Sequence, residues 1–332
     1  MRKTVALLYG GRGCEHEISV LGSKNFKKLI DPQKYDLLEV FIDKTGDWYL
    51  IKGDECYPTF PTRLSGKSGF WRAGGIVPCD VAFPLLHGDG GEDGTVQGTL
   101  TAAGINLAGE PCGSSALALD KINTKLIAIA SGIPTAKFVA LRGTDKEEAR
   151  TLCEKELGYP LFIKPNALGS SHGAGAVHTR EEFYTVYSAA TALADDVIAE
   201  ELIEGKRELE VAYLNVAEGE FITPPAEIML DGTYGFAEKY KKRTETCVVA
   251  DVSKDTVNIL SDYTRRLARI MGIKRMARFD YFLHKGKILL NEINTMPGFT
   301  DASLYLAMLD AYGIEKGRVL DALIASAVGG LD

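Results

Sequence analysis

Several familiar signatures are missing from this chain of 332 residues, and each absence narrows its class. The six cysteines (Cys14, Cys56, Cys79, Cys112, Cys153, Cys247) are scattered; none forms a CxxC pair and no Cys/His spacing fits zinc. That excludes a disulfide-stapled miniprotein and reads as reduced thiols in a cytoplasmic protein. No apolar run approaches the ~18 residues a membrane-crossing helix needs. Met1-Arg2-Lys3 is followed by only six mostly apolar residues before Gly10-Gly11, too short for a signal-peptide core. A cytoplasmic location with no membrane partner is expected. Basic residues are in deficit, 38 Lys and Arg against 45 Asp and Glu, for a net charge of −7. With no basic block, nucleic acid is not an expected partner, although a small phosphate ligand needs only a local positive patch. The common nucleotide fingerprints fail as well. Gly11-x-Gly13 should close on a glycine where His16 stands, and the Walker pattern ending Gly66-Lys67-Ser68 begins on Pro61.

What is present is ordinary globular composition, 45% hydrophobic and 25% charged, at a length that suits two or three domains. Residues 4–9 form an apolar run that stops at Gly10-Gly11, a helix is predicted from Glu17 to Ile30, and residues 36–43 read as the next strand. This opening predicts a doubly wound α/β domain. Residues 44–78, mixed in Gly, Pro and aromatics, stay unassigned. A strand over 80–86 ends at His87, a helix follows over Thr95–Ala103 and a short strand over Ile105–Ala108. A boundary near Pro111–Gly113 leads to helices between Ser115 and Ser131. Strands near 136–141 and 160–164 flank a helix over Lys146–Leu157. Strands near 175–178 and 197–203 enclose another helix. From Glu204 the chain is strand-rich (208–215, 220–225, 275–283, 286–293) and ends in a helix near 315–328. The expected units are therefore 1–112, 113–203 and 204–332.

Five stretches carry chemistry. The Gly10-Gly11 turn aims backbone N–H groups at the top of the sheet, where α/β folds hold ligands. Glu15 there is either an ammonium anchor or a helix N-terminal carboxylate favoured by the dipole. Residues 87–98 (HGDGGEDGTVQG) are dense in Gly and carboxylate after an apolar strand: a ligand loop, or a tight turn before a capped helix. Residues 164–175 place Lys164 at a strand end before a Gly/Ser loop, which can fold over phosphates or simply lie on the surface. The run 200–210, with Glu200 and Glu208, could meet an adenine amine and ribose hydroxyls or be a solvated face. The sharpest inference comes from residues 275–300. Two apolar runs flank Lys285-Gly286-Lys287, which predicts a hairpin with a three-residue loop and sets Asp280 opposite Glu292. Period-two alternation then puts Arg278, Asp280, Glu292 and Asn294 on one face. Two carboxylates and an amide oxygen suit Mg²⁺ (or Ca²⁺, though no EF-hand loop is present), two such ions being bound by Glu292 and a nucleotide triphosphate, while Arg278 faces a phosphoryl or oxyanion group; the alternative is a solvent-facing charged strand face with Arg278 paired to Asp280.

Together these blocks resemble the D-alanine–D-alanine ligase family of ATP-grasp enzymes. The matching stretches are Gly10–Ser19, His87–Gly98, Asp120-Lys121, Lys164–Gly173, Glu238-Lys239-Tyr240, Arg278–Asp280 and Asn291–Thr300, in order along nearly the whole chain. The resemblance implies a three-domain α/β architecture, with a Rossmann-like N-terminal domain and two α+β lobes enclosing ATP. It implies that Lys121, Lys164 and Ser171 contact the nucleotide, that Glu200, Glu201 and Ile203 hold its adenine region, and that Glu208 meets the ribose. Asp280, Glu292 and Asn294 would hold two Mg²⁺, with Mn²⁺ as a substitute. Glu15, Ser170, Tyr240 and Arg278 carry the catalytic roles; His87, Lys239, Gly298, Ser303 and Leu304 bind substrate. The implied reaction joins two D-alanine molecules through an acyl phosphate for peptidoglycan precursors, and the implied assembly is a homodimer. Two segments depart from the family pattern. The usual Thr-Ser-His-Ser-x-x-Pro ending reads Thr300-Asp301-Ala302-Ser303-Leu304-Tyr305-Leu306, and the segment from Tyr234 lacks the usual acidic residue after its first aromatic. Leu304 stands where relatives that make D-alanyl-D-serine or D-alanyl-D-lactate carry Arg, which favours D-alanine. A ligase for another D-amino or hydroxy acid, and a catalytically silent nucleotide-binding protein, are the competing readings.

Overall fold

The computed structural model describes residues 2–229 and 245–329. The chain opens with β1 (Lys3–Gly10), α1 (His16–Leu29) and β2 (Tyr35–Ile42), the last pairing parallel to β1. Residues 44–78, unassigned above, continue the same sheet with β3 (Trp48–Lys52) and β4 (Glu55–Pro58). They then build a separate three-stranded sheet from β5 (Pro61–Leu64), β6 (Lys67–Arg72) and β7 (Gly75–Pro78). Their strands are only four to six residues long and turn on Gly, too short to leave a readable alternation. β8 (Val81–Pro84) pairs parallel to the other edge of β1; α2 (Thr95–Ala102) and β9 (Asn106–Leu107) complete the unit. The sheet order β4-β3-β2-β1-β8-β9 changes direction at β1, so the ends of β1 and β8 open a crevice at a topological switch point.

The expected helical stretch 115–131 is two helices, α3 (Cys112–Leu119) and α4 (Lys121–Ala130). Asp120 divides them because its carboxylate accepts from the Asn123 N–H at 2.8 Å and caps α4. Next come β10 (Phe138–Arg142), α5 (Lys146–Glu156), β11 (Leu161–Pro165), β12 (Gly175–Val177), α6 (Arg180–Thr191) and β13 (Asp196–Glu201). These strands form an antiparallel sheet, β10-β13-β11-β12, whose apolar face is covered by α5 and α6.

The last stretch holds β14 (Arg207–Val216), β15 (Gly219–Ile222), β16 (Ala226–Met229), β17 (Glu245–Cys247), α7 (Lys254–Met271), β18 (Met276–His284), β19 (Lys287–Asn294), α8 (Leu304–Ala311) and α9 (Lys316–Gly329). The helix over 254–271 is not among the predicted elements, yet its signals are strong. Ser253 accepts from the Thr256 N–H, Gly272 (φ 68°) ends it, and Leu260, Thr264, Leu267 and Met271 recur on its buried face.

Layers do not follow contiguous stretches of chain. On β14, Leu209, Val211 and Tyr213 face α7, while Ala212 and Leu214 join the core of the first sheet. There Val319, Leu320, Leu323 and Ile324 of α9 pack with Val5, Leu7, Val81 and Phe83. Each of those α9 side chains is buried, worth roughly 1.5–3 kcal/mol apiece. Glu110 fastens the joint. Its buried carboxylate accepts from the N–H groups of Lys274, Arg275 and Met276 at 2.6, 2.6 and 2.7 Å.

Candidate active site

The hairpin of β18 and β19 sets Arg278 opposite Asn294 and Asp280 opposite Glu292, as expected, but by a different path. Its loop has two residues, Lys285 (φ 48°) and Gly286 (φ 74°), not three, with His284 paired to Lys287. A bulge at Asn291, between the Tyr281–Leu290 and Asp280–Glu292 pairs, supplies the missing residue and restores the register. Asp280 and Glu292 line a cleft of about 1040 Å³, open to solvent, between the two antiparallel sheets. Lys121, Lys164, Ser170, Ser171, Glu200, Glu201, Ile203 and Glu208 line it too. Asn294 borders an adjoining recess with Lys121, Glu92 and Glu292.

The buried charges of Arg278, Lys121, Lys125, Lys164 and Glu200 each meet an opposite one. The Arg278 guanidinium is bidentate on Asp280, 2.7 Å from each oxygen, and lies 3.2 Å from Glu210. Burial works against its charge, but Asp280 and Glu210 outweigh burial and raise its pKa well above the ordinary value. Lys121 donates to the Leu168 carbonyl at 2.8 Å and approaches Glu292 at 3.7 Å. Lys164 reaches Glu200 at 3.1 Å and Asn291 at 3.2 Å. Lys125, which the sequence reading passed over, is fully buried and lies 3.2 Å from that same Glu200 oxygen. Burial lowers the pKa of Lys121 and of Lys125. Burial alone would raise that of Glu200, yet Lys125 and Lys164 hold it below the ordinary value. The signal for Lys125 was available, a lysine one turn from Lys121 and directly before the apolar run Leu126–Ala130 of α4.

The crevice of the first sheet contributes the other half. Ser170 donates to the Glu15 carboxylate, joining the phosphate-type loop to the N-terminal turn. Gly169 leaves room there for the carboxylate: an added Cβ would stand 2.8 Å from Glu15 Oε2 and displace that side-chain tip. His87 is buried, its Nε2 has no partner among the described residues, and burial lowers its pKa. Glu92, also missed, accepts from the Gly88 N–H at 2.7 Å; burial first, then the charge of Glu15, push its pKa up to about 8. Gly298 and Ser303 are joined by a hydrogen bond from the Ser303 hydroxyl to the Gly298 carbonyl. Leu304 is half-buried against the first core. Gly298, Ser303 and Leu304 do not line the cleft. Lys239 and Tyr240 lie outside the described residues.

Among the described residues, no three Asp, Glu, His or Cys side chains gather as a metal cluster. The expected ligand set, two carboxylates and the Asn294 amide, is one short of that and leaves room for phosphate oxygens. The donor chemistry fits a hard divalent cation, because Arg278 and Lys121 already sit as cations on Asp280 and Glu292.

Two antiparallel sheets facing each other across a cleft lined with lysines and carboxylates define an enzyme of the ATP-grasp class. Residues 4–110 match the family model described as D-ala D-ala ligase N-terminus, and residues 127–325 match the D-ala D-ala ligase C-terminus. The chain is 36% identical to the D-alanine–D-alanine ligase A of Mesorhizobium japonicum, over 98% of this chain and 97% of that one. Among solved structures it is similar to the VanG D-Ala:D-Ser ligase of Enterococcus faecalis (TM-score 0.89, 30% identity, covering 98% and 99% of the two chains). It is also similar to the D-alanine–D-alanine ligase of Coxiella burnetii (TM-score 0.87, 29% identity, covering 99% and 94%). The chain belongs to the D-alanine–D-alanine ligase family.

Proposed function

We infer that this protein is an ADP-forming ligase that joins two D-alanine molecules for peptidoglycan precursors, using ATP and a divalent metal. The observation that carries the reading is the hydrogen bond between Ser170 and Glu15, which couples a carboxylate suited to an amino group with the lysine-lined cleft suited to a triphosphate.

The chemistry follows from what each partner lacks. A carboxylate is a weak electrophile and hydroxide a poor leaving group, so amide formation needs activation. The first D-alanine carboxylate attacks the γ-phosphate of ATP; an acyl phosphate forms and ADP departs. The second D-alanine amine attacks the acyl carbon, and the C–O bond to phosphate breaks. On this reading Glu15 binds the first ammonium, linked to Ser170 and Tyr240, and His87 lies by the first carboxylate. Lys121, Lys164 and Ser171 meet the phosphates, Glu200, Glu201 and Ile203 the adenine, and Glu208 the ribose. Asp280, Glu292 and Asn294 would hold two Mg²⁺ ions, or Mn²⁺, whose charge offsets that of the triphosphate. Arg278 and the Gly298 N–H stabilise the tetrahedral oxyanion. Ser303 and the Leu304 backbone bind the second carboxylate, and Lys239 helps to close the site against water. The division into units 1–112, 113–203 and 204–332, a cytoplasmic location and a homodimer belong to the same reading; sedimentation equilibrium tests the last.

A second acceptor, D-serine, is favoured by two observations: the similarity to a solved D-Ala:D-Ser ligase, and the altered segment 301–306. Leu304 speaks for D-alanine. ADP release with ATP and Mg²⁺ separates the readings when D-alanine alone is compared with D-alanine paired with D-serine or D-lactate, and with L-alanine. D-alanine-dependent release with dipeptide product is expected. Nucleotide binding without any D-alanine response would overturn the ligase reading.

A further inference from the structure

Lys125 has no assigned task, and its position is costly. Its side chain is among the largest fully buried ones, and a lysine there must be desolvated where Leu or Met would pack at no such cost. It does not line the cleft, so it makes no contact with a nucleotide held there. What it does touch is Glu200, through the oxygen that also receives Lys164: the two ammonium nitrogens lie 3.2 and 3.1 Å from Glu200 Oε1. Lys164, unlike Lys125, lines the cleft. One carboxylate between two ammonium groups leaves a net positive charge, and only Lys164 can present it to a ligand.

We propose that Lys125 is a positioning residue that competes with Lys164 for Glu200 and so keeps the Lys164 charge available to nucleotide phosphates. Without Lys125, Glu200 and Lys164 form a self-neutralised pair. Glu200 keeps a partner in that case, so no buried carboxylate is orphaned and the fold survives the change. The proposal rests on the nucleotide reading of the cleft given above.

The test compares wild type, Lys125→Met and the double variant Lys125→Met/Glu200→Gln by displacement of a fluorescent ADP analogue with Mg²⁺ present. The readout is the ratio of ADP affinity to adenosine affinity. The single variant should lower that ratio about tenfold or more, because one uncompensated charge near the phosphates is lost. The double variant should restore it, because removing the carboxylate frees Lys164 again. An unchanged ratio, equal weakening of ADP and adenosine, or no recovery in the double variant would each overturn the proposal. If Lys125→Met does not fold, Lys125→Gln carries the same prediction, since its amide can still donate to Glu200 without charge. Wild type that fails to bind the analogue at all would overturn the nucleotide reading instead.

Discussion

Replacing Glu92 with Gln should stabilise the protein, and by an amount that depends on pH. Glu92 is buried beside Glu15 and accepts from the Gly88 N–H, and its pKa stands at about 8 against an ordinary 4.5. The folded pKa lies above the unfolded one, so the unfolded chain releases this proton first. Below pH 4.5 both states are protonated and nothing is lost. Between 4.5 and 8 the native state loses stability as pH rises, and above 8 the loss is complete. At about 1.4 kcal/mol per unit, the cost is roughly 3 kcal/mol at pH 7 and roughly 5 kcal/mol above pH 8. A glutamine has no proton to lose and keeps an oxygen for the Gly88 N–H; burying its amide returns about 1 kcal/mol of the gain. Urea unfolding, followed by the fluorescence of Trp48 and Trp71, should therefore put the midpoint of Glu92→Gln well above wild type at pH 8.5 and close to it at pH 5. An equal shift at both pH values, or a lower midpoint at both, would refute the argument that burial of this carboxyl is what sets its titration.

The remaining predictions concern other carboxylates. Glu110→Gln turns an NH₂ group toward backbone N–H donors that now meet an oxygen, and should cost about 2–4 kcal/mol in urea unfolding. Glu292→Gln should cut turnover at least about a hundredfold with an unchanged circular dichroism spectrum; near-normal turnover would remove Glu292 from the metal site. Glu15→Gln should raise KM for D-alanine far more than KM for ATP in the ADP-release assay, and an equal rise in both would mark Glu15 as structural.

The parts of the site that lay on regular strands were legible because alternation is a strict rule. Asp280 and Glu292 came out opposite each other even though the loop is a residue shorter than expected, because the bulge at Asn291 restores the count. Turn type and bulge are local choices that the apolar pattern does not encode. The order β1, α1, β2 and the loops at the ends of β1 and β8 were legible for the same reason, as long apolar runs ending on Gly or His. The short strands over 44–78 carry too few residues for periodicity to rise above composition. Lys125 and Glu92 were missed for another cause. Their meaning comes from partners far off in sequence, Glu200 and Glu15, and only packing brings those together. The helix over Lys254–Met271 was a missed signal, since cap, period and terminal Gly are all present.

The mixing of chain ends in the first core has a consequence during synthesis. β8 completes its pairing with β1 once Pro84 has been made, but α9, which shares the cover of that sheet face with α1, is encoded far downstream, at Lys316–Gly329. At ribosomal speeds of about 5–20 residues per second, Val5, Leu7, Val81 and Phe83 wait roughly 10–50 s for Val319, Leu320, Leu323 and Ile324 to emerge. For that interval α1 covers part of this face, Phe26 packing on Phe83 at 4.9 Å between ring centroids, and the part that α9 will cover stays open, a surface on which holding chaperones act. Loss of this fourteen-residue helix would then be felt first in the strands made earliest, as a nascent sheet whose cover by α1 is never completed.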